Sequence, residues 1–344
     1  MNILIASTIV PFIEGGATFI VDWLHLKLKE YGYKSEVLKI PFYSHYQLMS
    51  DQMKALSLIK ISDNVDKLIT IRTPSYLLQH PNKVIWFIHH HRGAYDLWGT
   101  KYQDIPNNNE GLKIRQEIIN ADNKAFKEAK KIFTNSKVVS SRLEKFNNTK
   151  SEVLYPPLLN PEKFYSNQYG NYIFYPSRIN HHKRQHLAIE AMKYTKSAVK
   201  LIIAGKSDTD SATALIMNTI KQNRVENKVT FLNRWISEEE KVKFIANSLA
   251  CIYIPFDEDS YGYPTLEAFH ARKSIITCND SGGTLELVED GHNGFISAPD
   301  PKQLAHYFDQ LFYNKNLAGK LGNAGLEKIH SMDITWDNVI RRLV

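Results

Sequence analysis

The sequence predicts an α/β protein made of two Rossmann-like halves, and three observations support this prediction. Short runs rich in β-branched and aromatic residues alternate with segments of helical period along the chain. The proline-rich stretch YPPLLNPEKFYSNQYG interrupts the alternation near the middle, after which the same pattern begins again. A length of 344 residues also suits two cores better than one. Such alternation indicates a parallel sheet in each half, with helices on both faces.

The first half contains two segments with a clear helical period. The segment ATFIVDWLHLKLKEYGY places Phe19, Trp23, Leu26 and Glu30 at helical spacing, and Gly32 suits the end of that helix. A second helix is predicted in EGLKIRQEIINADNKAFKEAKKIF, and these residues share one of its faces: Ile114, Ile118, Ala121, Ala125 and Ala129. The predicted strands of this half are NILIAST, SEVLKI, KLITIR, KVIWFIHH, KKIFTNS and SEVLYP.

The second half repeats the pattern. Its predicted helices include QHLAIEAMKY and SEEEKVKFIANS, and its predicted strands are NYIFYPS, AVKLIIAG, KVTFL, LACIYIP, KSIITC and GFIS. We place the first domain at residues 1–164, the second at 165–330 and a terminal helix at 331–344. Sheets of this kind bind ligands at the carboxyl ends of their strands, so we expect a site at those ends.

Charge and composition narrow the function classes. The formal net charge is +7, of which residues 1–164 carry +6, with 22 Lys and Arg against 16 Asp and Glu. A basic front half suits an anionic partner such as a membrane surface, or is simply a solvated face. Cys251 and Cys278 each lie in an apolar run, which indicates buried thiols in a reducing cytoplasm. The apolar start MNILIASTIVPFI lacks a basic front and a cleavage site, so we predict a first strand there.

Two motifs of the first half are candidates for ligand contact. Gly15 and Gly16 follow the first strand and precede a helix, where backbone N–H groups can bind an anion, although a plain turn explains them equally well. They do not form the G-x-G-x-x-G fingerprint of dinucleotide binding. His89, His90 and His91 follow the fourth strand. Adjacent side chains diverge, so we expect one histidine to act as a donor or proton carrier and no metal site.

The second half contains the stronger candidates. Arg178 and Lys183 lie five residues apart in a strand-to-helix loop, and two cations there suit a pyrophosphate leaving group. In the stretch DEDSYGYPTLE, Asp259 precedes a turn at Gly262, and Glu267 lies just inside the helix that follows. Carboxylates can accept hydrogen bonds from hydroxyls, while free helix N–H groups suit a phosphate. A nucleotide sugar offers both kinds of group.

Taken together, these motifs resemble the retaining glycosyltransferases of the GT-B fold in family four (GT4), over nearly the whole chain. That family has an Arg with a Lys five residues later, matched here by Arg178 and Lys183. It also has two Glu separated by seven residues around a Gly-aromatic-Gly turn. Here Asp259 stands at the first Glu and Glu267 at the second, and the segment ITWDNVIRRLV resembles the family's final helix, which crosses back to the first domain.

The resemblance implies a role for each matched residue. Glu267 would bind the ribose hydroxyls, and Asp259 a hydroxyl of the donor sugar. Arg178 and Lys183 would stabilise the departing diphosphate, aided by Gly16, and His89 or His90 would contact the donor. It implies no metal or other cofactor. Further donor-binding residues are expected on the same loops, with the base near residues 233–235: Gly15, Ser177, Asn233, Arg234, Trp235, Tyr261, Gly262, Tyr263 and Thr265.

The substrates follow less directly. The strings HHHRGAYDLWG and YPP resemble bacterial mannosyl-type transferases of surface polysaccharide (lipopolysaccharide) synthesis, which favours GDP-mannose and leaves UDP-sugars open. We expect a glycan or lipid-linked acceptor and a cytoplasmic enzyme, peripheral on the inner face of the membrane through a shallow electrostatic contact. The alternatives are a sugar-nucleotide epimerase or glycogen-type synthase, a nicotinamide-dependent dehydrogenase, and a basic nucleic-acid binder. The missing glycine fingerprint opposes the dehydrogenase, and no recognisable DNA or RNA module supports the binder.

Overall fold

A computed structural model of the chain describes residues 1–12, 16–100 and 102–344. The chain divides into two compact units. Unit 1 comprises Met1–Pro156 together with Ile334–Val344, and unit 2 comprises Pro157–Asp333. Each unit contains a six-stranded parallel sheet, so the α/β architecture predicted for both halves is confirmed.

Unit 1 is built around a sheet with strand order β2-β1-β3-β4-β5-β6. Along β1, Ile3 and Ile5 face one apolar cluster while Ala6 faces the other, as the two-residue period of a strand requires. Its sheet is therefore covered on both faces. The elements are β1 (Asn2–Ile9), α1 (Gly16–Glu30), β2 (Lys34–Pro41), α2 (Tyr46–Ser57), β3 (Lys67–Thr70), β4 (Lys83–Phe87), α3 (Asn109–Glu128), β5 (Lys131–Thr134), α4 (Lys137–Asn147) and β6 (Glu152–Val153).

Helix α1 forms where the sequence predicts it, and its packing on the sheet determines which of its apolar residues are buried. Ile20, Leu24 and Leu28 are buried at a spacing of four, whereas Leu26 is 46% exposed. The aliphatic side chains pack on the sheet. Phe19 stacks against Trp23 with ring centroids 5.7 Å apart. Spacing alone did not separate these two faces, because both carry large apolar residues.

Helix α3 matches the prediction closely. Ile114, Ile118 and Ala125 are buried, and Ala121 and Ala129 pack at the margin of the same cluster. Asn108 caps the helix by accepting a hydrogen bond from the backbone N–H of Gly111 at 2.8 Å. One polar residue, Asp122, is buried on this face.

Unit 2 has the strand order β12-β11-β10-β7-β8-β9, in which β7 lies between β8, the next strand along the chain, and the more distant β10. All pairings are parallel, so the loops that follow the strands lie at one edge of the sheet. The elements are β7 (Tyr172–Pro176), α5 (Gln185–Met192), β8 (Lys200–Ala204), α6 (Asp210–Asn223), β9 (Val229–Leu232), α7 (Glu238–Asn247), β10 (Ala250–Ile252), α8 (Tyr263–His270), β11 (Ile275–Cys278), β12 (Gly294–Ser297), α9 (Pro301–Tyr313) and α10 (Lys315–Ser331).

The C-terminal helix, α11 (Trp336–Leu343), belongs to unit 1. Trp336, Val339, Ile340 and Leu343 are buried at positions i, i+3, i+4 and i+7, and they join the cluster that includes Ile3. The polypeptide therefore begins and ends in the same core.

The unit boundaries differ from the predicted ones by a few residues. The first falls at residue 156 and not at 164, and the second at 333 and not at 330. Residues 157–164 belong to unit 2 because the turn Pro161–Lys163 contacts α8 and Phe164 is buried. Proline content marks the linker correctly, but it does not reveal which core the linker packs on. Cys251 and Cys278 are unpaired and buried, as predicted.

Candidate functional site

The acidic loop that precedes α8 ends in a conformation that requires glycine. Gly262 has φ +71°, and a Cβ at this position would lie 2.2 Å from the ring of Tyr253. Pro264 follows in the first turn of α8, where its missing N–H is no loss. The loop follows β10, so the free N–H groups at the start of α8 lie at the carboxyl edge of the unit 2 sheet.

A second loop of the same edge is locked to the first through the backbone. The N–H of Gly283 donates to the carbonyl oxygen of Glu258 at 2.8 Å. Gly282 has φ +63°, and a Cβ there would lie 2.4 Å from that carbonyl oxygen. The glycine pair in CNDSGG is thus explained by the close approach of two loops, which fixes the position of the acidic segment.

Lys183 is brought to this acidic segment. It ends a short turn, His181–Lys183, that Asn180 caps by accepting from the Lys183 N–H at 3.1 Å. The Lys183 ammonium donates to the Tyr253 hydroxyl at 2.7 Å and forms an ion pair with Glu258. Its side chain is only 14% exposed. The ammonium therefore has a fixed position beside the start of α8.

Arg178 lies in the same loop but has different partners. Its Nη1 is 3.3 Å from Asp208, and its side chain is 44% exposed. Asn180 also donates to Asp208, at 3.1 Å. Arg178 and Lys183 thus emerge from one loop, one cation being accessible and the other nearly enclosed.

The carboxylate that pairs with Lys183 is Glu258, one residue before the predicted Asp259. Sequence reasoning missed Glu258, because the spacing to Glu267 singles out its neighbour, although both lie in the same acidic run. Asp259 is partly buried, and its contact with a donor sugar stays a prediction.

Glu267 is buried on α8, with 5% of its surface exposed, and it forms an ion pair with Lys241. Lys241 lies on α7, a helix that follows β9, and its side chain is 27% exposed. The cation compensates for removing the carboxylate from water. No motif connects two residues 26 positions apart, so this pair could not be predicted from the sequence.

The first turn of α8 contains a polar side chain that lacks a partner. Thr265 is fully buried, and its hydroxyl has no hydrogen-bond partner among the described residues. Tyr261 is also buried, at 1% exposure, so it contributes to the core and not to an open surface. Tyr263 is partly exposed, and burial of its hydroxyl raises its pKa. Of these predicted contacts, Tyr261 fits a ligand least well.

The remaining predicted donor contacts of unit 2 differ in their availability. Ser177 accepts from Gln185 at 2.8 Å, and Asn233 accepts from the Ser207 N–H at 2.9 Å, so both hold neighbouring loops together. Arg234 forms an ion pair with Glu240 on α7. The Trp235 ring is 54% exposed and offers a stacking surface after β9.

The three histidines of unit 1 diverge, as predicted. His90 is 2% exposed, and its ring centroid lies 4.2 Å from that of Tyr95. Its Nε2 lies 2.8 Å from the Asn147 amide oxygen. Burial lowers its pKa to about 4. His90 is thus enclosed in the core of unit 1, and its contact with a donor stays a prediction. His89 is partly exposed, and His91 is 3.1 Å from Asp104.

Two predicted features fall at the limits of what is described. Gly15 lies outside the described residues, and Gly16 is the first residue of α1.

Over the described ranges, no three His, Cys, Asp or Glu side chains are grouped so that they could hold a metal ion. No helix in those ranges is both long and apolar enough to cross a membrane.

Comparison with known proteins adds independent information. Residues 159–328 match the family described as Glycosyl transferases group 1. Alpha-1,3/1,6-mannosyltransferase ALG2 of Dictyostelium discoideum is 31% identical over 140 residues, which are 39% of this chain and 33% of that protein. The chain therefore matches only about a third of that relative's length.

Solved structures with the same fold match almost the whole chain. Sucrose-phosphate synthase from Thermosynechococcus elongatus has a TM-score of 0.78 at 15% identity, covering 99% of this chain and 97% of that one. HepE from Anabaena, in complex with UDP-glucose, has a TM-score of 0.71 at 15% identity and covers 99% and 98%. These likenesses confirm the predicted GT-B fold. Residues 159–328, nearly all of unit 2, are thus similar to the glycosyl transferases group 1.

Proposed function

We propose that the chain is a retaining glycosyltransferase that moves a sugar from a nucleoside-diphosphate sugar to a glycan or a lipid-linked glycan. One observation supports this most strongly. Two oppositely charged residues of unit 2 lie near the start of α8. Lys183 is held beside the start of this helix, and Glu267 lies within the helix. A cation suits a diphosphate and a carboxylate suits ribose hydroxyls, so the pair matches the two ends of a nucleoside diphosphate.

The chemistry assigned to these residues is stabilisation of the leaving group. As the bond from the sugar carbon to the diphosphate oxygen breaks, negative charge develops on that oxygen. Lys183 would leave Glu258 and bind the diphosphate together with Arg178 and the N–H groups of α8. The acceptor hydroxyl then bonds to the sugar carbon on the face that the diphosphate leaves, and its proton passes to the departing diphosphate oxygen. This arrangement requires no metal ion, because the protein itself provides the positive charge.

GDP-mannose is the donor we favour. The family match covers unit 2, where the nucleotide would bind, and the relative named above is described as a mannosyltransferase. A UDP-sugar is the second choice, supported by a solved structure of the same fold that contains UDP-glucose.

A lipid-linked acceptor would place unit 1 near an anionic membrane surface. Helix α3 has three exposed lysines that lie on roughly one face of the helix, Lys113, Lys124 and Lys127. Leu112 on α3 and Leu48 on α2 are also exposed, at 46% and 49%. Arg115, which the sequence places in the same basic group, instead donates to the Ala94 carbonyl at 2.8 Å. We propose that unit 1 makes a reversible, mainly electrostatic contact with the anionic membrane surface. We propose further that the enzyme acts in surface-polysaccharide synthesis.

Donor hydrolysis without an acceptor tests the proposal. The protein would be incubated with GDP-mannose or UDP-glucose, with and without EDTA, and the released sugar followed by proton NMR. We expect one donor to be hydrolysed slowly, with the α-anomer appearing first and the rate unchanged by EDTA. Lys183→Ala should abolish the signal. First release of the β-anomer would show inversion, and an epimerised nucleotide sugar would show an epimerase.

A further inference from the structure

Unit 2 contains an open pocket of about 560 Å³ that shares no residue with the candidate donor site. It lies at the C-terminal end of α8, whereas the donor site includes the start of that helix. Its volume falls within the range of pockets that hold small molecules. Three segments contribute the side chains that matter here: Glu162 and Tyr165 from the linker, His270 and Arg272 from the end of α8, and Leu326 and His330 from α10.

The polar groups of this pocket are not occupied by one another. The side chains of Glu162 and His330 make no hydrogen bond or ion pair within the described chain, and Arg272 has only a 3.3 Å contact with the Asn323 amide. His270 has a ring nitrogen, Nε2, that is shielded from solvent and lacks a hydrogen-bond partner among the described residues. A ligand that binds these groups would therefore displace at most the contact between Arg272 and Asn323.

The charges select the class of ligand. Arg272 and the imidazoles can donate hydrogen bonds, whereas the carboxylate of Glu162 can only accept them at neutral pH. Burial lowers the pKa of His270 to about 4, so this imidazole is neutral at pH 7 and offers both a donor and an acceptor. An anion would find Glu162 repulsive. A metal ion finds no suitable group of ligands among the described residues. A neutral molecule with several hydroxyls can satisfy all of these groups, because each hydroxyl both donates and accepts.

The pocket also has an apolar surface suited to such a molecule. The Tyr165 ring is 50% exposed, and Leu326 is partly buried beside the polar groups. An aromatic side chain gives a flat apolar area with a polar tip. The face of a pyranose ring that carries its C–H bonds can pack on such an area while its hydroxyls reach Glu162, Arg272 and His330.

We propose that this pocket is a second binding site of unit 2, specific for a neutral saccharide of one or two rings. Binding here needs no nucleotide and involves no bond formation. The site would let the protein hold a glycan chain away from the donor site, an inference that gains its meaning from the proposed function but is tested without it.

Saturation-transfer NMR with methyl α-D-mannopyranoside, in the absence of nucleotide, tests the proposal. Tyr165→Ala and Glu162→Gln change the pocket, and both positions are exposed enough for the fold to tolerate them. Tyr313→Ala, at a site on α9 that is 69% exposed, is the matched control. Equal melting temperatures would confirm that all variants are folded. We expect saturation transfer in the wild type and in Tyr313→Ala, and at least a threefold loss in the two pocket variants.

Two further arms separate this site from others. Glu267→Gln should retain the sugar signal, so that failure of the donor site and failure of this pocket are distinguishable. Inorganic phosphate at a roughly 10-fold excess over the sugar should not displace it, since the Glu162 carboxylate repels anions. Absence of transfer in the wild type, full transfer in Tyr165→Ala, loss in Glu267→Gln, or displacement by phosphate would each overturn the proposal.

Discussion

Among the described residues, each unit buries one carboxylate, and the two carboxylates have opposite surroundings. Asp122 of unit 1 is 1% exposed and accepts hydrogen bonds from two buried hydroxyls, Tyr76 at 2.8 Å and Tyr95 at 2.7 Å. Glu267 of unit 2 is 5% exposed and pairs with the ammonium of Lys241, which reaches solvent. Asp122 therefore belongs to a closed network whose partners are uncharged hydroxyls, whereas Glu267 has a charged partner near the start of a helix.

This difference indicates which carboxylate can serve a ligand. Replacing a tyrosine hydroxyl at Asp122 with a ligand would require opening a packed core, because both tyrosines are buried. Tyr95 also packs on His90, so the network fixes the loop that carries the histidines. At Glu267, a ribose hydroxyl can join or replace an accessible ammonium. The same residue chemistry thus holds the fold in one unit and offers a binding group in the other.

The largest expected effect is the loss of kcat when the cations of unit 2, Arg178 and Lys183, are removed. Arg178→Ala and Lys183→Ala should each lower kcat by on the order of a hundredfold or more, with little change in donor affinity, since leaving-group charge develops toward the transition state. Steady-state kinetics with the donor identified by hydrolysis measures this. Lys221→Ala, at an exposed lysine of α6, should be neutral. A double variant of Arg178 and Lys183 with near-normal kcat would refute the assignment.

The second prediction concerns the pH dependence of Asp122. Burial raises its pKa to about 6, from 3.8, so the folded protein holds the proton more tightly than the unfolded chain does. The stabilisation due to this group is complete below pH 3.8 and is lost as the pH rises through about 6. A shift of that size corresponds to roughly 2–3 kcal/mol.

Asp122→Asn should remove that loss, because an amide does not titrate. Urea unfolding of both proteins from pH 4 to 7 measures the difference in their free energies of unfolding. We expect the variant to gain on the wild type as the pH rises. Parallel pH profiles would show that Asp122 does not titrate as its surroundings indicate, and the contrast between the two carboxylates would fail.

The third prediction concerns the ion pair of unit 2. Lys241→Met leaves the Glu267 carboxylate buried without a cation, and we expect a loss of about 1–3 kcal/mol, reduced from the value for a fully buried pair because Lys241 is partly exposed. Adding Glu267→Gln should recover part of this loss. The coupling energy of the double-mutant cycle, measured by urea unfolding, should be at least about 0.5 kcal/mol. A coupling near zero would mean that the pair is not formed in solution.

The sequence predicts the sheets better than the contacts between loops. All twelve predicted strand segments form strands, because short runs rich in β-branched residues favour strands and most of these runs are largely buried. Helical spacing does not determine which face of α1 is buried, since Leu24 and Leu26 are equally apolar and only packing on the sheet separates them. Lys241 and Glu258 were missed because they meet their partners through loop and helix placement, which no local spacing encodes.

The smallest expected effect concerns the binding of the basic surface of unit 1 to membrane vesicles. The protein should co-sediment with vesicles rich in anionic lipid at low salt and be released by roughly 0.5 M salt, since each basic residue contributes only about 1 kcal/mol. Neutral vesicles should retain little. Replacing Lys124 and Lys127 with Gln should weaken binding, whereas Lys221→Gln in unit 2 should not. Equal sedimentation with both kinds of vesicle would contradict the membrane contact and leave the transferase proposal intact.

We propose that the Glu267 carboxylate accepts hydrogen bonds from the ribose of a nucleoside diphosphate. Titration calorimetry with nucleotides measures the strength of this contact. Wild type, Glu267→Gln and the matched control Glu226→Gln, at an exposed glutamate of unit 2, would be titrated with GDP, UDP, ADP and CMP. We expect the wild type and Glu226→Gln to bind one diphosphate alike. Glu267→Gln should bind it with a loss of about 1.5–3 kcal/mol, roughly tenfold to more than a hundredfold in Kd. Equal affinity of all three proteins for that nucleotide would remove Glu267 from the site and contradict the account.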